Sequence, residues 1–105
     1  MKIEIQGQDA VQATEELLSI EGLEGSYETV SEVEREGTLV TIATIVAITA
    51  GTMTIAEKLY QWGQKYQKSR QNLGGARIEK VVIINGDKRI LLENASPQEI
   101  QKVLE

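Results

Sequence analysis

The sequence predicts an α+β domain in which helices pack on one face of a small sheet. Three features point there: a two-residue alternation at the N-terminus, a pair of β-rich runs joined through Asn85-Gly86-Asp87, and stretches of helical periodicity between and after them. At 105 residues and 41% hydrophobic content the chain can form one core of its own but not two, so residues 1–105 read as a single domain.

Met1 to Gln6 alternates Ile3 and Ile5 with Lys2 and Glu4, as a half-buried strand does, and Gly7 ends it. Asp9 then stands where a carboxylate can cap a helix. Ala10, Ala13 and Leu17, with Val11 and Leu18, give that helix its apolar stripe. Glu21 to Gly25 is turn-rich. Tyr27 to Val33 follows as a strand whose Glu28 and Glu32 suit a sheet edge. A parallel pairing of the first two strands across the first helix fits this order. Gln71 to Ala76, with Asn72, Gly74 and Gly75, reads as a loop. Ile78 to Asn85 and Lys88 to Asn94 read as a hairpin, because Asn-Gly tolerates the positive φ that tight turns require. Ser96-Pro97-Gln98-Glu99 has the form of a capping box with proline in the first turn, opening a closing helix that buries Ile100, Val103 and Leu104. The expected order is strand, helix, strand, long helix, hairpin, helix.

The long helix is drawn from an uncharged run, Gly37 to Ala56, that continues into Glu57 to Arg70. Ile55, Leu59, Trp62 and Tyr66 share one side of a helical wheel with Ile48 and Thr52, whereas Glu57, Lys58, Gln61, Gln64, Lys65 and Lys68 take the other. Before Gly51 both sides are apolar. A continuous helix from Thr38 to Lys68 would run about 46 Å at 1.5 Å per residue, far beyond the roughly 13 Å radius of gyration of such a chain. It must kink at Gly51 or protrude and find cover. The helix is the expectation for residues 38–49, but their density of Ile, Val and Thr also favours a strand, which stands as the alternative for that half.

Cover by a bilayer is the alternative to cover by a protein. The run approaches the length of a span, has an acidic segment before it and a basic one after it, and sets Tyr60 and Trp62 near one end. Six threonines (Thr38, Thr41, Thr44, Thr49, Thr52 and Thr54) weaken insertion. A span would also part the first two strands from the hairpin.

Charge is distributed unevenly. Residues 1–37 hold ten acids against two bases, whereas the rest holds nine bases against six acids, for a net charge of −5. The chain has no histidine and no cysteine. The commonest neutral-pH base, Ser-His and Cys-His pairs and thiolate metal sites are therefore excluded. Glu15-Glu16 and Glu34 with Glu36 lie in polar stretches that do not raise a carboxyl pKa. Neither Gly22-Leu23-Glu24-Gly25 nor Gly74-Gly75 has phosphate-loop spacing. Tyr60, Trp62 and Tyr66 among Lys58, Lys65 and Lys68 could stack on bases, but the four-residue step from Trp62 to Tyr66 continues the apolar side, and net negative charge opposes nucleic acid. No catalytic residue, metal ligand or cofactor site is expected. The N-terminus lacks signal-peptide patterning, so a cytoplasmic location is expected, with inner-membrane association as the alternative.

The acidic strand-helix start, the small residues Ala47 to Gly51, the helix Ala56-Glu-Lys-Leu-Tyr-Gln-Trp-Gly-Gln-Lys-Tyr-Gln-Lys, the hairpin with Gly86-Asp87-Lys88-Arg89 and the terminal helix together resemble the effector-associated constant component domains. These domains occur in bacterial conflict systems, beside or fused to variable effector modules that include caspase-like and trypsin-like peptidases. The resemblance implies a non-enzymatic adaptor or regulator of a protein effector such as a peptidase or NTPase module. The expected partner interface lies on the apolar helix 38–68, at Leu39, Ile45, Ile48, Ile55, Leu59, Trp62 and Tyr66, with self-association into a homo-oligomer.

Overall fold

In the computed structural model, which describes residues 1–33, 39–49, 52–70 and 78–105, strand β1 (Lys2–Gly7) leads into helix α1 (Ala10–Leu18). Strands β2 (Leu23–Val33) and β3 (Leu39–Thr49) follow, then helix α2 (Met53–Arg70). Strands β4 (Lys80–Asn85) and β5 (Lys88–Leu91), a short 3-10 turn (Leu92–Asn94) and helix α3 (Pro97–Leu104) complete the chain. The five strands form one antiparallel sheet in the order β2-β3-β1-β4-β5.

The expected long helix is thus two elements, and the observed order is β-α-β-β-α-β-β-α. Residues 39–49 form a strand because β-branched side chains pack well on a pleated surface and crowd a helix. Their alternation also divides the run between two environments. Ala43, Ile45 and Ala47 are fully buried, whereas Val46 is 53% exposed. The length problem disappears with the break: α2 has 18 residues, about 27 Å of helix. Gly51, where the helix was to kink if it did not protrude, and the loop expected at Gln71 to Ala76 lie outside the described residues.

β1 and β2 are not neighbours, contrary to the expected parallel pair. Both pair antiparallel with β3, which lies between them. The register sets Ile3 opposite both Ile45 and Ile83, and Ile5 opposite both Ala43 and Val81, so one face of three adjacent strands is apolar row by row. These residues share a core with Ala10, Ala13 and Leu17 of α1, with Ile55, Leu59, Trp62 and Tyr66 of α2, and with Ile100, Val103 and Leu104 of α3. β2 does occupy a sheet edge, and it begins at Leu23.

Local chemistry sets several boundaries. Thr52 Oγ1 accepts from the Ile55 N–H at 3.3 Å, closing the first turn of α2. Asp9 occupies the N-cap of α1 but its carboxylate makes no capping bond, and Val11 of the expected stripe is 40% exposed. Thr14 takes its place, buried with its hydroxyl donating to Ala10 O at 2.7 Å. Ser96 caps α3 as expected, its Oγ accepting from the Glu99 N–H at 3.2 Å. Glu99 receives the Ser96 hydroxyl at 3.1 Å. The hairpin turns on Gly86 and Asp87, since Asn85 pairs with Lys88. Gly86 has φ 61°, with glycine at the first central position as in a II′ turn. Asn85 is therefore free to donate from Nδ2 to Val103 O at 2.8 Å, tying the hairpin to α3.

Two substitutions separate cap from turn. Ser96→Ala is expected to cost about 1 kcal/mol through the lost cap. At Gly86 a Cβ would meet nothing within 4 Å, so Gly86→Val acts through backbone strain alone, about 1–2 kcal/mol. Thermal melts check both, and an unchanged midpoint for Gly86→Val would show that the turn readily adopts another conformation.

Candidate interaction surface

The same alternation that fills the core sends the other half of each strand to the opposite face of the sheet. One row across that face reads Ser26, Val46, Lys2, Ile84, Arg89 from β2 to β5, and the next reads Glu28, Thr44, Glu4, Val82, Leu91. Apart from Val82, these residues are exposed or half-buried. Val30, Val46 and Leu91 stand out as large apolar side chains 58%, 53% and 47% exposed. The face is polarised as well. Exposed Glu24 and Glu28 line its β2 side, and exposed Lys80 and Arg89 its β4–β5 side.

Five of the seven residues expected to meet a partner are withdrawn from the surface. Ile45, Ile55, Leu59, Trp62 and Tyr66 are all buried in the chain's own core. Leu39 and Ile48 belong to β3, and their side chains lie outside the described residues. Trp62 is held by a structural bond, its Nε1–H donating to Ala13 O at 3.1 Å. It packs against Tyr66 with ring centroids 5.4 Å apart. Both rings are thus withdrawn from any nucleic-acid base, and Tyr60 is half-buried. Residues 42–47 are apolar at odd and even positions alike apart from Thr44, so the sequence of that segment held no alternation that could have revealed the exposed face.

The seam between α1 and α2 carries the clearest electrostatics. Glu16 accepts from Lys65 Nζ and from the Tyr66 hydroxyl, each at 2.5 Å. The bond from Lys65, then that from Tyr66, hold the Glu16 carboxyl below its usual range against the opposing effect of burial. Burial, followed by the bond to Glu16, drives the Tyr66 hydroxyl well above its ordinary value. Beside this seam runs an open groove of about 440 Å³ lined by Glu16, Glu21, Lys58, Gln61, Trp62 and Lys65 among others. Its mixed charges and wide mouth favour no particular small molecule. A smaller, mainly apolar hollow of about 30 Å³ lies beside Gly63, Ile78 and Leu92, room for about one water. A Cβ on Gly63 would come within 2.6 Å of Leu92 Cδ2, so glycine there permits close contact between α2 and the 3-10 turn.

Among the described residues no group of three or more acidic side chains is arranged to hold a metal ion. None of the described helices is long and apolar enough to cross a membrane. Comparison of the chain with protein-family models, with curated proteins and with solved structures gives no match.

The seam predicts a pH dependence of defined sign. A carboxyl whose pKa falls on folding stabilises the protein above its ordinary value, 4.5 for Glu16, and the contribution fades as pH drops through the folded-state value. Tyr66, with its pKa raised, contributes below its ordinary value of 10.0 and loses that contribution as pH rises above it. Glu16→Gln is expected to lower stability by about 1 kcal/mol at neutral pH, since Glu16 is partly exposed and screened. As pH falls below 4.5 and through the lowered folded-state value the variant and parent should converge. Denaturant melts across pH check this, and parallel curves at all pH values would show that Glu16 titrates alike in both states.

Proposed function

We propose that the chain is a non-enzymatic adaptor or regulatory domain of a bacterial conflict system, acting in the cytoplasm on a protein effector such as a peptidase or NTPase module. The observation that carries this reading is the sheet face just described. An exposed face that carries Val30 beside the acids of its β2 edge, Leu91 beside the base of its β5 edge and Val46 on β3 within has the composition of a docking surface. The helices on the other face of the sheet leave this one available. Its resemblance to the effector-associated constant component domains supplies the biological setting, and the want of histidine and cysteine supports a role without chemistry of its own.

The docking surface is accordingly assigned to the exposed sheet face and not to a helix over residues 38–68. Ile45, Leu59 and their neighbours then contribute by holding that face rigid. Rigid, pre-ordered strands present a surface at little entropic cost on binding.

The purified chain is expected to show no peptidase or nucleotide-hydrolysing activity and to bind the product of a peptidase or NTPase gene encoded next to it. Val46→Lys should weaken that binding about tenfold or more while leaving the fold intact, because it replaces an exposed apolar side chain in the interior of the face with a second charge beside Lys2. Affinity measurements with circular dichroism as the folding control check this. Activity in the isolated chain, or binding indifferent to Val46→Lys, would overturn the assignment.

A further inference from the structure

We propose that in the free chain the exposed sheet face is closed by a second copy of the same chain, the two sheets stacked face to face about a two-fold axis parallel to the strands. The proposal rests on reading this face as an interaction surface, and it names the occupant. Its basis is that the two edges of the face are complementary to one another. Glu24 and Glu28 lie on the β2 edge, and Arg89 lies on β5 at the opposite edge, with Lys80 on the strand beside it.

The charges at the two edges select the axis. A two-fold along the strands carries β2 of one copy over β5 of the other, β3 over β4 and β1 over itself, while preserving height along the strands, so Lys2 and Glu4 of the two copies gather about the axis with each Lys2 one row from the other copy's Glu4. Val46 then meets Ile84 of the second copy, since both lie in one row. Arg89 shares that row with Ser26, which lies between Glu24 and Glu28 along β2. Arg89 of each copy therefore approaches both glutamates of the other, about 7 Å along the strand from its own row and within reach of an arginine side chain. The alternative axis, across the strands, would lay β2 on β2 and β5 on β5, opposing like charges at both edges. Pairing of two copies edge to edge through β2 is disfavoured by the same residues, because a symmetric register centred on Ser26 sets Glu24 against Glu28. Acidic side chains on an edge strand blunt such pairing.

Area sets the strength. Five strands about 4.8 Å apart and roughly six residues long give a footprint of about 500 Å² per copy, or about 1,000 Å² in total. That is the lower end for a specific interface. The association is thus expected to be reversible and in the micromolar range. Effector capture and self-association then compete for one face, which ties the availability of the adaptor to its own concentration.

Sedimentation equilibrium on the chain alone tests the proposal. The parent is expected to pass from monomer to dimer across micromolar concentrations. Arg89→Glu should raise the dissociation constant at least tenfold. Combining Arg89→Glu with Glu24→Lys and Glu28→Lys exchanges the two edges and should restore dimerisation to within a few-fold of the parent. All three substitutions lie at exposed positions, and circular dichroism confirms that each variant is folded. A chain that stays monomeric up to about 1 mM, dimerises equally well with Arg89→Glu, or is not restored by the exchange overturns the proposal. A monomer that still binds its effector removes this inference alone, whereas a dimer that binds none removes the adaptor reading alone.

Discussion

β3 is the constraint on which the rest of the structure depends. It is the strand that joins β2 to the sheet, and it supplies one of the two ladders that hold β1. Ile45 is flanked along the strand by Ala43 and Ala47, and all three are essentially inaccessible to solvent. Small residues on either side of a large one let the core layer lie close to the sheet without voids. Were residues 39–49 helical, β2 would lose its strand partner and β1 would be left with β4 alone. Ile45 would also lose its place opposite Ile3 and Tyr27.

A second consequence of β3 concerns what its other face must do. A strand cannot bury alternate residues on both sides unless both sides of the sheet are covered. In this chain the core uses Ala43, Ile45 and Ala47, and Val46 is left at the surface in company with Val30 and Leu91. Glu24, Glu28, Lys80 and Arg89 lie around these residues and keep the platform wettable. The same charges give the platform a direction, acidic on one side and basic on the other, and that polarity decides which arrangements of a partner are favourable. The aromatic pair takes no part in this. With the Trp62 indole N–H spent on Ala13 O and the Tyr66 hydroxyl on Glu16, both rings serve to join α2 to α1.

Much of the local structure was legible in the sequence because its determinants are local. The alternation of Lys2 to Gln6, the apolar side of α2 at Ile55, Leu59, Trp62 and Tyr66, the hairpin glycine at position 86 and the Ser96 cap each depend on neighbours within a turn or two. The segment 38–49 resisted because Ile, Val, Thr and Ala at these positions satisfy an apolar helix and a buried strand alike, and only hydrogen-bonding partners distant in sequence tell the two apart. Val11 shows the same limit on a smaller scale. Helical period placed it with Ala10 and Leu17, yet it is exposed, and Thr14 fills the buried position by bonding its hydroxyl back to Ala10 O.

By itself the sequence determined the class of the fold, the caps and turn that bound its elements, and the absence of the side chains that most nucleophilic and thiolate chemistry requires. Tertiary structure decided the rest: that β3 separates β1 from β2, that Asn85 anchors α3 instead of shaping its turn, and that the aromatic residues face inward while Val30, Val46 and Leu91 face out. The physical reason is the same in each case. Side-chain periodicity says which residues lie on a common face, but whether that face is covered depends on what the remainder of the chain brings to it.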